Sequence, residues 1–192
     1  MRGLAAAMGG RDVAAARLDA FFHGPDGSWS VGGGDALRYD PTDEPGIHAP
    51  WLYNALGQPW KTQATVRQIV DTVYGTGPSG LPGNDDLGTM SAWYVFACLG
   101  LYPRTPGSAD LLLGAPVFTE AVLDRPGGTD ITVTAPGADA EHRYVDSVRL
   151  NGRAHEALWT GARLTLRGGT LGFGPAERPD TRWGTDPADL PK

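Results

Sequence analysis

What the sequence lacks excludes several classes of protein. Cys98 is the only cysteine, so no disulfide can form within the chain. Lysine and arginine together number 16 against 22 acidic residues, which gives a net charge of -6. A nucleic-acid binder would need a basic face, and no apolar run approaches the length of a membrane span. We therefore expect neither nucleic acid nor a membrane among the partners.

Familiar catalytic signatures are also missing. The sequence contains no phosphate loop, dinucleotide fingerprint, nucleophile elbow or zinc-binding histidine pair. The apolar stretch that ends at Met8 is too short for the core of a signal peptide. Because the first residues already show a helical pattern, we expect them to come from the interior of a longer protein. The residues alone do not fix a localisation.

The composition predicts a folded chain of the α+β class. Hydrophobic residues make up 41% and charged residues 20% of the sequence. The apolar periodicity is helical before Pro103 and strand-like after it. We expect helices that carry the site over residues 1–104, an antiparallel β segment over 105–176 and an irregular tail over 177–192.

Local signals predict where the helices begin and end. Helical patterns run from Asp12 to Phe22, from Asp43-Glu44-Pro45 to Gly57, and onward from Pro59, whereas Gly24 to Gly34 is predicted as a loop. Val66, Ile69, Val70 and Val73 give the helix after Pro59 one apolar face. The segment from Met90 to Leu101 is apolar on all sides and predicts a helix buried all round. This succession favours a barrel of inner and outer helices, although an ordinary multilayer bundle also fits.

The second half of the chain predicts an antiparallel meander of short strands. Alternating apolar residues mark these strands at Ile131, Val133 and Ala135, at Leu164 and Leu166, and at Leu171 and Phe173. Asn151-Gly152, which follows Leu150, is a strong signal for a type I′ hairpin turn.

The first candidate for catalysis is a pair of carboxylates, Asp85 and Asp86, on a glycine-rich segment just before the apolar helix. A carboxylate held there can act as a general base, and the glycines allow a ligand to approach. The same residues are also typical helix caps. Both roles can hold at once, because adjacent side chains point in different directions.

The second candidate is the segment from Asp43 to Asn54. Calcium prefers several oxygen ligands, and Glu44 offers one, but a first-turn acid also stabilises a helix dipole. His48 is a candidate for a sugar hydroxyl, although a lone histidine is more often structural. Trp51 and Trp60 are candidates for stacking on a sugar ring, although a buried aromatic is the usual case.

Taken together, these segments resemble family 92 of the glycoside hydrolases. The resembling runs are Gly80 to Pro103, Asp43-Glu44-Pro45 through Gln58-Pro59-Trp60-Lys61-Thr62-Gln63, Leu112 to Phe118, Leu150-Asn151-Gly152, Gly168 to Leu171, and Trp183-Gly184. The resemblance implies an inverting, calcium-dependent exo-α-mannosidase. It also implies an N-terminal β-sandwich followed by an (α/α)6 barrel, so this chain would hold an incomplete helical toroid segment and a sandwich-like strand layer from the C-terminal portion of the catalytic region.

The resemblance also implies roles for individual residues. Asp86 is expected to be the general base, with Asp85 or Asn84 assisting. Glu44 is expected to bind a calcium ion that holds two mannose hydroxyls, and Asp43 to add its backbone carbonyl. Asp43 stands where the family has asparagine, and Ile47 replaces the first histidine of a pair that ends at His48.

The general acid of the family lies in an upstream glutamate motif that this sequence does not contain. An inverting glycosidase needs both an acid and a base. We therefore expect an incomplete catalytic unit that acts on α-mannoside glycans only with a missing N-terminal half, and a secreted or extracytoplasmic parent. The alternatives are a non-catalytic, calcium-assisted carbohydrate-binding module and an inert remnant.

Overall fold

The structure is a computed structural model that describes residues 1–32 and 37–191. Its helices are α1 (Arg2–Ala7), α2 (Arg11–Phe22), α3 (Leu52–Leu56), α4 (Pro59–Val73), α5 (Thr89–Cys98) and α6 (Ala162–Arg167). Two 3-10 turns, Glu44–Gly46 and Ala49–Trp51, precede α3. The strands are β1 (Leu101–Pro103), β2 (Leu111–Leu113), β3 (Glu120–Leu123), β4 (Ile131–Thr134), β5 (Tyr144–Leu150), β6 (Arg153–Ala154), β7 (Trp159–Thr160) and β8 (Gly169–Ala176). The α+β class is thereby confirmed.

The predicted helix boundaries agree with the local signals. Gly57 follows α3 with a φ of 75°, a left-handed conformation that glycine adopts without strain and that ends the helix. Pro59 opens α4, where its missing N–H group costs no helical hydrogen bond. Of the loop predicted from Gly24 to Gly34, residues 33 and 34 lie outside the described part of the chain.

The two long helices of the predicted site differ in how they pack. On α4, Val66 and Ile69 are buried and Asp71 is exposed, which confirms an amphipathic helix. The prediction that α5 is buried all round is wrong, because Tyr94 and Val95 are 37% and 55% exposed. α5 packs on α4 and β1, and these contacts leave part of its surface uncovered among the described residues.

The strands form two sheets. The first has the order β1-β2-β7 and is antiparallel throughout. The second has the order β3-β4-β8-β5-β6 and contains one parallel pair, β4 with β8. The predicted meander is therefore wrong at this point, because β8 returns from a distant part of the chain to lie between β4 and β5.

One predicted strand is a helix. Leu164 and Leu166 lie in α6, where Leu164 is buried and Leu166 is 69% exposed. Side chains two residues apart on a helix point in different directions. The alternating pattern at Leu164 and Leu166 therefore reflects one buried and one exposed helix position and not the two faces of a β-strand. The neighbouring Thr165 hydroxyl donates a hydrogen bond to the Ala109 carbonyl at 2.6 Å and ties α6 to the chain before β2.

The hairpin between β5 and β6 is confirmed. Asn151 and Gly152 have φ values of 51° and 78°, as a type I′ turn requires, and Leu150 pairs with Arg153 across it. The Asn151 side chain also accepts a hydrogen bond from the Thr170 N–H at 2.9 Å, which fixes the turn against β8.

Two hydrophobic cores fill the molecule. The first lies among α1 to α5 and includes Tyr39 and Trp51, and the second lies among the strands.

The predicted irregular tail has no helix or strand after Ala176 among the described residues. It is nevertheless packed, because Trp183 and Leu190 are buried in the second core. The exact domain boundaries at residues 104 and 176 stay a prediction. Among the described helices, none combines the length and apolar character that crossing a bilayer requires.

Two buried amide side chains join the helices to the sheets. Gln63 of α4 accepts a hydrogen bond from the Val145 N–H of β5 at 3.2 Å, and Gln63 is 2% exposed. Asn54 of α3 donates to the Leu113 carbonyl of β2 at 2.8 Å. These bonds fix how α3 and α4 lie against both sheets.

We predict that Gln63→Met destabilises the chain by about 1–3 kcal/mol, because a buried N–H at Val145 would lose its acceptor. Urea unfolding followed by circular dichroism measures the change. Gln68→Met is the matched control, since Gln68 lies on the same helix at a partly exposed position. Equal effects of the two substitutions would contradict a linking role for Gln63.

Candidate active site

The backbone of the loop before α5 is strained at Asp86, the predicted general base. Asp86 and Leu87 have φ values of 49° and 60°, and Gly88 follows at 92°. A left-handed conformation is costly for residues other than glycine, and such outliers concentrate at functional sites. The carbonyl of Asp86 is held in place by Thr89, whose hydroxyl and N–H donate to it at 2.8 and 3.3 Å.

The two consecutive aspartates point in different directions. The Asp85 carboxylate accepts hydrogen bonds from the Ser91 N–H at 3.0 Å and the Ser91 hydroxyl at 2.8 Å, and its backbone carbonyl accepts from the Met90 N–H at 3.2 Å. Asp85 therefore satisfies donors in the first turn of α5. Asp86 instead faces Glu44, so in this geometry one aspartate caps the helix while the other is available for chemistry.

The carboxyl groups of Asp86 and Glu44 lie close enough to interact and form a carboxyl pair. Partial removal from water, the charge of Glu44 and its hydrogen bond, and the charge of Asp85 all raise the pKa of Asp86. Each of these makes the ionised form less favourable. The raised pKa makes Asp86 a stronger base than an isolated aspartate.

Two contacts bring the Glu44 segment to the Asp86 loop. The Trp93 indole N–H of α5 donates to the Ile47 carbonyl at 2.7 Å, and the Tyr74 ring stacks on Trp93 at 5.7 Å. Gly83 approaches Thr42 so closely that an added Cβ would lie 2.8 Å from the Cβ of Thr42. The Trp93–Ile47 and Gly83–Thr42 contacts each join residues more than 40 positions apart in the sequence. Neither contact was predicted, because a single sequence gives no signal for a distant partner.

A cleft of about 490 Å³ opens beside Glu44. Its walls come from the Glu44–His48 segment, from α5 and from the chain that follows β1; the lining residues are Glu44, Ile47, His48, Thr89, Ala92, Trp93, Phe96, Tyr102, Pro103, Arg104, Thr105 and Pro106. His48 is exposed and lines this cleft beside Glu44, as a sugar contact would require. Phe96 and Tyr102 were not predicted as site residues, although both lie within the apolar run that ends at Pro103.

The remaining predicted site residues lie in different surroundings. Trp51 is 1% exposed and stacks on Tyr102 at 4.9 Å, so it packs in the core and has no face open to a ligand. Trp60 is half-buried near the start of α4, and Asn84 is exposed on the loop before Asp85. The Asp43 side chain is exposed, and its carbonyl accepts a hydrogen bond from the Gly46 N–H at 2.9 Å.

The carboxylate oxygens near Glu44 are suitable ligands for a hard cation, but they are too few to complete a metal site by themselves. Two carboxyl groups, those of Glu44 and Asp86, converge, and their oxygen atoms are the ligands that calcium prefers. Among the described residues, no group of three or more histidine, cysteine, aspartate or glutamate side chains is placed to hold a metal ion. A calcium ion at Glu44 would therefore need backbone carbonyls, water or substrate for most of its six to eight ligands.

Similarity to known proteins identifies the family of this chain. Residues 1–174 match the model of the glycosyl hydrolase family 92 catalytic domain. A curated relative, an uncharacterized secreted glycosidase of Arthroderma benhamiae, is 29% identical over 187 residues, which are 96% of this chain and 22% of that protein.

Solved structures of the same family superpose closely. A family GH92 α-mannosidase from Bacteroides thetaiotaomicron has a TM-score of 0.85 and 32% identity, covering 95% of this chain and 24% of its own. A family GH92 inverting mannosidase from the same organism also has a TM-score of 0.85 and 32% identity, covering 98% of this chain and 27% of its own. The chain thus spans about a quarter of the length of these relatives. It belongs to glycosyl hydrolase family 92.

Proposed function

We propose that this chain supplies the base side of an inverting, calcium-dependent exo-α-mannosidase that hydrolyses terminal α-mannosides of the N-glycan or mannan type. The observation that carries the proposal is the pairing of Asp86, which lies in a loop of strained backbone, with Glu44 on a separate turn. The family supports the reaction class: one structural relative is an inverting mannosidase, and another is an α-mannosidase in complex with mannoimidazole.

Asp86 acts as the general base in this proposal. Its carboxylate accepts a proton from the water molecule that attacks the anomeric carbon, and a raised pKa makes it a better proton acceptor near neutral pH. Asp85 keeps the loop in place through its bonds to Ser91. Asn84, exposed next to the pair, assists by positioning the same water or a sugar hydroxyl.

Calcium is proposed as the cofactor, held by the Glu44 carboxylate and the Asp43 carbonyl. When bound, it would supply charge that fixes two vicinal hydroxyl groups of mannose. His48 then contacts the same sugar from the neighbouring wall of the cleft. The Asp43 carbonyl can serve even while it accepts the Gly46 N–H, because a carbonyl oxygen has two lone pairs.

The general acid comes from a part of the enzyme outside this chain. We propose that α1 to α5 belong to an incomplete (α/α)6 toroid and that the two sheets belong to a β-sandwich-like layer. The exposed face of α5, with Tyr94 and Val95, is where the missing N-terminal half would pack. The relatives, about four times longer, are consistent with such a half.

We predict that the 192-residue chain alone releases no detectable mannose from α-mannosides, even with calcium. Without a positioned acid, a proton-transfer contribution of about 10²–10⁴-fold in rate is lost. Activity should appear when the missing half is supplied in trans, and Asp86→Asn should then abolish turnover while leaving mannoside binding intact. Mannose release and calorimetric binding measure the two effects.

An activated leaving group separates the two catalytic roles. A dinitrophenyl mannoside needs no acid, so it should not rescue Asp86→Asn, which lacks the base. Asp71→Asn is the matched control, because Asp71 is exposed on α4 and bonded to Arg67. Calcium-dependent hydrolysis of an ordinary mannoside by the chain alone would overturn the assignment of the missing acid.

We also predict that Glu44→Gln weakens calcium binding at least tenfold, because it removes a charged ligand. Asp43→Asn should leave the affinity unchanged, since Asp43 is proposed to bind through its carbonyl. Isothermal titration calorimetry with calcium, with and without mannose, measures both variants in the trans-complemented enzyme. Equal losses in the two variants, or none in either, would refute the proposed ligands.

A further inference from the structure

A second cleft lies away from the Glu44 pair, between α2, α3 and α4. Its volume is about 270 Å³, and its lining residues are Asp19, His23, Gly27, Trp29, Tyr53, Lys61, Ala64, Thr65 and Gln68. None of these residues lines the cleft beside Glu44. The second cleft therefore has its own walls and its own chemistry.

The polar floor of this cleft is held in a fixed arrangement. The Asp19 carboxylate accepts a hydrogen bond from the Tyr53 hydroxyl at 2.8 Å and forms an ion pair with the Lys61 ammonium at 2.6 Å. The same ammonium lies 5.6 Å from the centre of the Tyr53 ring. Because Asp19 and Lys61 neutralise each other, the floor offers donors and acceptors without a net charge and favours a neutral ligand.

Two polar side chains in the cleft are available for a ligand. Thr65 is 5% exposed, and its hydroxyl makes no hydrogen bond within the described residues. The side-chain amide of Gln68, one turn further along α4, also makes none in this part of the structure. The Thr65 hydroxyl is open to the cleft, so a ligand hydroxyl can form a hydrogen bond with it in place of water.

The opposite wall is aromatic. Trp29 stacks parallel to Phe22 at 6.1 Å, and the His23 ring meets Trp29 edge to face at 5.7 Å. His23 is itself fixed by a hydrogen bond between its Nδ1 atom and the Asp19 carbonyl at 3.1 Å. These aromatic rings line the same cleft as the hydrogen-bonding groups of its floor.

We propose that this cleft binds one neutral monosaccharide ring, at a site separate from the catalytic one. A pyranose has the two kinds of surface that the cleft presents: apolar C–H groups for the aromatic wall, and hydroxyls for Thr65, Gln68 and the Asp19–Lys61 pair. Its size also fits, since 270 Å³ lies just below the roughly 300 Å³ at which pockets for drug-sized ligands begin. Such a site would hold a second sugar of a glycan, or anchor the glycan near the enzyme.

The test is a titration of the chain with methyl α-mannoside, followed by amide shifts in ¹H–¹⁵N NMR spectra. We expect the largest shifts at His23, Thr65 and Gln68. Thr65→Val should weaken binding about fivefold, as expected for one lost hydrogen bond. Thr62→Val is the matched control: Thr62 is a buried threonine on the same helix, but its hydroxyl is enclosed and does not line the cleft, so its removal should leave binding unchanged.

Further variants and ligands distinguish binding in the second cleft from a folding defect and from binding at the catalytic site. Gln68→Ala lies at a less buried position and should weaken binding even if Thr65→Val disturbs the fold. Glu44→Gln and calcium chelation should leave the shifts at His23, Thr65 and Gln68 unchanged, which separates this site from the catalytic one. Glucuronate, an anion, should bind more weakly than the neutral mannoside. No shifts at the cleft, equal effects of Thr65→Val and Thr62→Val, or tighter binding of glucuronate would overturn the proposal.

Discussion

The hydrogen bond from the Trp93 indole to the Ile47 carbonyl is the constraint on which the site depends. Glu44 and Asp86 lie on loops that are far apart in the sequence, so contacts between the loops must hold them together. Trp93 is buried on α5, a helix that packs against α4 and β1, so the bond transfers the rigidity of the core to the Glu44 segment. The close approach of Gly83 to Thr42 fixes the same pair of loops from the other side.

Bringing two carboxyl groups together has an energetic cost that the surrounding structure must offset. Like charges in contact disfavour ionisation, and Asp86 also adopts a left-handed backbone conformation. The bonds from Thr89 to the Asp86 carbonyl and from Ser91 to Asp85 hold the loop despite that cost. A site that stores strain in this way is prepared for a proton or a cation, which is consistent with the chemistry proposed for it.

The sequence predicted the features that depend on neighbouring residues. Gly57 ends α3, Pro59 opens α4, and Asn151-Gly152 forms the hairpin turn, because each depends on a local backbone preference. Features that depend on distant partners were missed. The pairing of β4 with β8 and the exposed face of α5 are decided by what packs nearby. In the site, the different directions of the Asp85 and Asp86 side chains followed from their adjacency, whereas the Trp93 contact that positions Glu44 gave no local signal.

The most direct test of the shared site is the titration of the Asp86 carboxyl carbon by ¹³C NMR, in the wild-type chain and in Glu44→Gln. The account predicts that Asp86 titrates above its usual value of 3.8 in the wild type. It also predicts a pKa nearer that value once the charge of Glu44 is removed, and again when calcium is added to the wild type. An Asp86 that titrates normally in both proteins and does not respond to calcium would contradict a common site for the two carboxyl groups.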